Sequence, residues 1–205
     1  RQLTTSGRVL LGTLSPDGRF LVYLEDRALQ LRNVLEGGAP VTVSTEQWRW
    51  LRGVQWFPDG SRLLLTDSGF RHSIIPSLGG SARELANVRG AVRVAPDGRR
   101  LAAWSSSGRR ILVHDAETGA VTDSIRVPGE FLSLQRVEWS PDGRFVVALV
   151  NASERRWGLH SLSTSTGRAR VLLSDSVRMD SPRWGPDGTS VYFARQSGLA
   201  WQVWK

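Results

Sequence analysis

The chain has no cysteine, which excludes disulfides and thiolate metal sites. Its one lysine, Lys205, cannot serve a phosphate-binding Gly-Lys-Ser/Thr loop, which therefore has no candidate. No Gly-x-Ser-x-Gly segment occurs, so no nucleophile elbow is expected. No apolar run reaches the roughly 18 residues of a spanning helix, so no membrane insertion by this chain is expected. Histidine occurs only at His72, His114 and His160. Zinc needs three or four convergent ligands. His114 and His160 fall at different distances from the turn glycine that follows each, so they are not expected to converge. No metal or cofactor is expected.

Acidic residues are outnumbered. Lys and Arg total 27 against 19 Asp and Glu, a net charge of +8 over 205 residues. All the basic residues except Lys205 are arginines, and they are spread along the chain rather than gathered in one run. That dispersal argues against nucleic-acid binding.

What the sequence does have is a repeat. Ser15-Pro16-Asp17-Gly18-Arg19 returns as Phe57-Pro58-Asp59-Gly60-Ser61, Ala95-Pro96-Asp97-Gly98-Arg99, Ser140-Pro141-Asp142-Gly143-Arg144 and Gly185-Pro186-Asp187-Gly188-Thr189, its aspartates 42, 38, 45 and 45 residues apart. Proline sets the φ that a type I turn needs at its second position. Aspartate tolerates the next position and bonds nearby amides. Glycine takes the positive φ that follows. Strand-like residues flank each copy, as in Phe145-Val146-Val147 and Val191-Tyr192-Phe193, so each reads as a β-hairpin. A period in the forties with four short strands per unit predicts propeller blades.

The expected fold is all-β: one β-propeller domain over residues 1–205, of five four-stranded antiparallel blades. Blade 1 covers about 7–46, blade 2 about 47–87, blade 3 about 88–127 and blade 4 about 128–175. Blade 5 covers about 176–205 plus 1–6. Within a blade the strands run A to D, with the Pro-Asp-Gly turn joining A to B. The fifth unit ends after strand C, and Arg1-Gln2-Leu3-Thr4 aligns with the D strand Ala82-Arg83-Glu84-Leu85. The N-terminal strand, Arg1 to Thr5, is therefore expected to complete the last blade by pairing with Leu199 to Trp204, which removes open edges. A ring so closed is expected to be monomeric.

Two residues before each proline stand Leu14, Trp56, Val94, Trp139 and Trp184, expected to pack between blades. Three before it stand Thr13, Gln55, Arg93, Glu138 and Arg183. Glu138 thus falls between two arginines on neighbouring blades, and an Arg93–Glu138–Arg183 ion cluster is expected. Five-bladed propellers can act on carbohydrates, but that chemistry needs paired carboxylates facing one funnel. The inner strands offer only Glu138 and Asp180, so no catalytic residue is assigned.

Trp139-Ser140-Pro141-Asp142-Gly143-Arg144-Phe145, a tryptophan followed by the turn and an aliphatic-aromatic strand, resembles the TolB-type, WD40-like propeller repeat. The stretch Arg1 to Tyr23 is similar to the sensor-like propellers fused to bacterial serine/threonine kinases or transcription regulators. Such repeats also occur beside peptidase domains. Phe57, Ala95 and Gly185 depart from the leading serine of the motif. The resemblance implies a non-catalytic interaction or ligand-sensing scaffold, often extracytoplasmic, with a protein or peptide partner. It also implies binding at the face shared by the D–A and B–C loops. There the candidates are Trp48, Arg49 and Trp50, then Arg71, Glu130, Phe131, Arg155, Arg156, Trp157, Arg178 and Asp180, rich in the residue types of binding hot spots. The alternatives are a carbohydrate-active enzyme and an excised or engineered propeller without a native function.

Overall fold

The computed structural model describes residues 2–4, 6–44, 51–105, 109–153 and 155–205. Every regular element among them is a β-strand. The chain divides into two units, Arg1–Val88 and Arg89–Lys205.

The first unit holds two four-stranded sheets. One runs β1 (Val9–Leu14), β2 (Phe20–Glu25), β3 (Ala28–Asn33), β4 (Val41–Ser44). The other runs β5 (Leu51–Trp56), β6 (Arg62–Asp67), β7 (His72–Pro76), β8 (Arg83–Glu84). The second unit holds three sheets. Its first is β9 (Val92–Val94), β10 (Arg100–Ser105), β11 (Arg110–Asp115), β12 (Val121–Arg126). Its second is β13 (Ser133–Trp139), β14 (Phe145–Ser153), β15 (Arg156–Ser163), β16 (Ala169–Asp175). Its third is β17 (Met179–Trp184), β18 (Val191–Ser197), β19 (Ala200–Trp204). Each sheet is an antiparallel meander in chain order, the form of a propeller blade.

The five Pro-Asp-Gly copies build one turn five times. In each, the glycine N–H donates to the carbonyl of the residue before proline, from Gly18 to Ser15 at 2.9 Å through to Gly188 to Gly185 at 3.0 Å. The glycines all sit between φ 65° and 71°, where a side chain would be strained. Each aspartate Oδ1 accepts the amide two residues on, as Asp17 does from Arg19 at 3.0 Å and Asp97 from Arg99 at 2.8 Å. Where serine leads the motif its hydroxyl donates to the same carboxylate, Ser140 to Asp142 at 2.6 Å. These bonds favour the charged form and hold Asp17 and Asp142 below the usual carboxylate range.

The tryptophans bind neighbouring blades within each unit. The Trp56 indole N–H donates to the Thr13 carbonyl at 3.2 Å, Trp139 to Arg93 at 3.2 Å and Trp184 to Glu138 at 3.3 Å. One register thus recurs: the ring two residues before proline caps the carbonyl three before proline on the preceding blade. Leu14 departs from the expectation. It is 53% exposed, because its blade is the first of its unit and no earlier blade of that unit covers it.

The expected fourth strand of the last blade, Arg1 to Thr5, falls partly outside the described residues. Among the described residues that blade has three strands, and Gln2–Thr4 form none. Within the first unit this segment is bonded to the first blade. Arg32 Nη1 donates to the Leu3 carbonyl at 2.5 Å, and the Ser6 hydroxyl donates to the Glu25 carboxylate. β19 is exposed at every residue.

Candidate functional site: the loop end of the blades

Each blade has two ends. The turn end carries the Pro-Asp-Gly and C–D turns; the loop end carries the B–C loops and the D–A crossings. Of the residues expected at the loop end, Trp48, Arg49 and Trp50 lie outside the described residues.

In the first unit Arg71 follows the B–C turn of the second blade. Its Nε donates to Asp67 Oδ2 at 2.8 Å. Burial works against the Asp67 charge, but the Arg71 backbone and side-chain bonds outweigh it and lower its pKa, while Arg71 is raised by the same pairing. Nearby, Arg52 lies over the Phe70 ring at 5.5 Å.

In the second unit the aromatic candidates are not surface anchors. Phe131 and Trp157 are 7% and 9% exposed, so their rings belong to the core rather than to a partner-facing rim. Phe131 tilts against Trp104 with centroids 5.4 Å apart. Trp157 packs with Leu149, Leu159, Met179 and Phe193. What these rings present outward is arginine. Arg109 lies over Phe131 at 5.7 Å, and Arg178 lies over both Trp157 at 6.0 Å and Trp201 at 5.7 Å. Glu130, Arg155, Arg156 and Arg178 are exposed. Asp180 is half-buried and paired with Arg136 at 3.4 Å. Phe70, Arg109 and Trp201 were not among the residues the sequence pointed to. Their signal is a cation on one segment and a ring on another, which sequence spacing does not reveal.

The inner strands of the second unit carry the expected ion cluster. Glu138 Oε2 accepts from Arg93 Nε at 3.2 Å and from Arg183 Nη1 at 2.8 Å. Both inner acids that the sequence offered, Glu138 and Asp180, are engaged with arginines, Asp180 with Arg136.

The histidines stand on separate strands. His72 Nδ1 shares a hydrogen bond with the Thr66 hydroxyl at 3.0 Å, and His114 Nδ1 meets the Gly119 carbonyl at 2.9 Å. His160 lines a pocket of about 360 Å³ at the loop end of the β13–β16 blade, together with Glu130, Phe131, Arg156 and Trp157. A larger groove of about 1050 Å³ lies between that blade and the last one, reaching the turn end. Trp184, Phe193 and Trp204 give it an apolar wall, and the Asp175–Arg195 pair, at 2.7 Å, lies along it.

Sheet order, turns and the repeated tryptophan seam are those of a β-propeller fold. Comparison with solved structures agrees on the fold. A TolB-type protein of Agrobacterium tumefaciens superposes with a TM-score of 0.75 at 18% identity, over 99% of this chain and 78% of that one. The β-propeller domain of Myceliophteria thermophila Cps50 (Swd1) gives 0.67 at 13% identity, over 96% and 70%. Hydrazine synthase of Kuenenia stuttgartiensis gives 0.65 at 18% identity, over 90% of this chain and 54% of that one. No protein-family profile and no curated protein matches the sequence.

Proposed function

We propose that this chain is a non-catalytic binding propeller that takes a protein or peptide partner at its loop end, as the interaction or sensing region of a larger bacterial protein. The observation that carries the reading is the set of arginines laid over aromatic rings at the loop end of the second unit: Arg109 on Phe131, Arg178 on Trp157 and Trp201. A guanidinium held against a ring loses little further entropy when it meets a carboxylate, and arginine and tryptophan are the residue types in which interface energy concentrates. The net charge of +8 favours an acidic partner. The engagement of Glu138 and Asp180 with arginines weighs against the carbohydrate-active alternative.

The test is selection of peptides by display on the whole chain, followed by titration of the best binder. Binders should be rich in Asp and Glu, and the double variant Arg109→Ala/Arg178→Ala should weaken them at least tenfold with a thermal midpoint that falls by no more than a few degrees. Equal affinity for the variant would reject the loop end as the site. Arg155→Ala extends the same test to the β14–β15 hairpin.

A further inference from the structure

The pocket beside His160 has chemistry of its own. His160 stands on β15, facing the same side of the sheet as Arg156 and Gly158, and is only 8% exposed. Its Nδ1 is sealed and has no hydrogen-bond partner among the described residues. The corresponding register position of the first blade is Gln30, whose side chain accepts the Thr42 hydroxyl. In the β13–β16 blade the equivalent polar group is left with its other nitrogen facing a cavity.

That arrangement fixes the imidazole's state. A proton on Nδ1 would be a buried donor without an acceptor, which costs more than a bare lone pair in the same place. Burial also pushes the His160 pKa down. The ring is therefore held neutral, with its proton on Nε2. Gly158 makes room for that edge, since a Cβ at residue 158 would lie 2.7 Å from Nε2. The pocket is thus offered one fixed neutral donor at its base, apolar walls from Phe131, Val150 and Val171, and the Arg156 cation at its mouth. A fixed donor asks for an acceptor, and the cation asks for that acceptor to be charged.

We propose that this pocket binds a carboxylate carried on a small apolar body, the His160 Nε2–H donating to a carboxylate oxygen and Arg156 balancing its charge. About 360 Å³ admits a group of the size of benzoate or of a terminal phenylalanine. Glu130, also at the pocket, opposes the anion and limits the ligand to a single carboxylate. The proposal does not rest on a protein docking at the loop end, because a free acid satisfies it.

The experiment is a chemical-shift titration of the whole chain with three probes: benzoate, benzamide and N-acetylphenylalanine, the last standing in for a peptide C-terminus. Benzoate should saturate one site and move the His160 ring resonances. Benzamide, which keeps the carbonyl and lacks the charge, should bind at least tenfold more weakly. His160→Leu and Arg156→Gln should each weaken benzoate about tenfold; Arg156 is exposed, so its variant stays folded whatever happens to the core. Glu130→Gln should tighten benzoate, a sign that a merely structural role for these residues would not produce. Tighter binding of N-acetylphenylalanine than of benzoate supports the site with a peptide end as its source, and the reverse order supports it with a small free acid. Benzamide binding as well as benzoate, or undiminished benzoate binding by Arg156→Gln, overturns the proposal.

Discussion

The two ends of the blades are built on opposite plans. At the turn end five copies of one hydrogen-bonded loop repeat with glycine φ angles within a few degrees of each other. At the loop end no two connections share a sequence, and several carry an arginine over an aromatic ring, a contact also made at the turn end by Arg62 over Phe57 and Arg100 over Trp139. Uniformity at one end sets strand register, which each hairpin must satisfy identically. Variety at the other end is what a recognition surface needs, since the scaffold beneath already fixes positions.

The comparison breaks first at the tryptophan seam. Trp139→Ala removes a buried ring and its bond to the Arg93 carbonyl, and should cost about 3–5 kcal/mol in urea unfolding. Leu14→Ala, at the equivalent and exposed position of the first blade, should cost under about 1 kcal/mol. Similar costs at the two positions would contradict the assignment of the seam to the indole rings. A smaller effect is expected in the turn itself. Gly143→Ala places a Cβ at φ +67°, 3.1 Å from the movable end of Arg100, so the penalty is that of the backbone, about 1–2 kcal/mol.

Much of the turn end was legible in the sequence because its physics is local. Pro141-Asp142-Gly143 dictates its own φ angles and its own bonds, and alignment on the prolines was enough to place Glu138 between Arg93 and Arg183. The loop end was less legible because its physics is not local. Nothing near Phe131 or Trp157 in sequence tells whether the ring faces solvent or the core; burial comes from Trp104 in one case and from Met179 and Phe193 in the other. The same holds for Leu3, whose place is decided by Arg32 nearly thirty residues on. His160 read as an isolated strand residue, since its pocket is closed by the crossing at residues 128–131, some thirty residues away in sequence.

Acid should sharpen the contrast further. The aspartates of the five turns all have lowered pKa values, four of them chiefly through hydrogen bonds. In Asp97 burial raises the value, but the bonds from Arg99 and Arg100 overcome it. A depressed folded-state pKa means that the stabilisation is complete above the unfolded value of about 3.9 and is lost as pH falls through the folded values. Melting temperature should therefore fall on acidification below about pH 4, and Asp142→Asn should flatten that fall. An unchanged acid limb in Asp142→Asn would remove this turn from the account. The smallest stability effects belong to the loop end. Arg109→Ala and Arg178→Ala, exposed cations over rings, should each change stability by no more than about 1 kcal/mol.

The most direct measurement is calorimetric titration of a display-selected peptide against the whole chain and against Arg109→Ala/Arg178→Ala, with the thermal midpoint of both recorded in the same buffer. The division of labour between the two ends predicts a Kd at least tenfold higher in the variant and a midpoint that falls by no more than a few degrees. An unchanged Kd would contradict it.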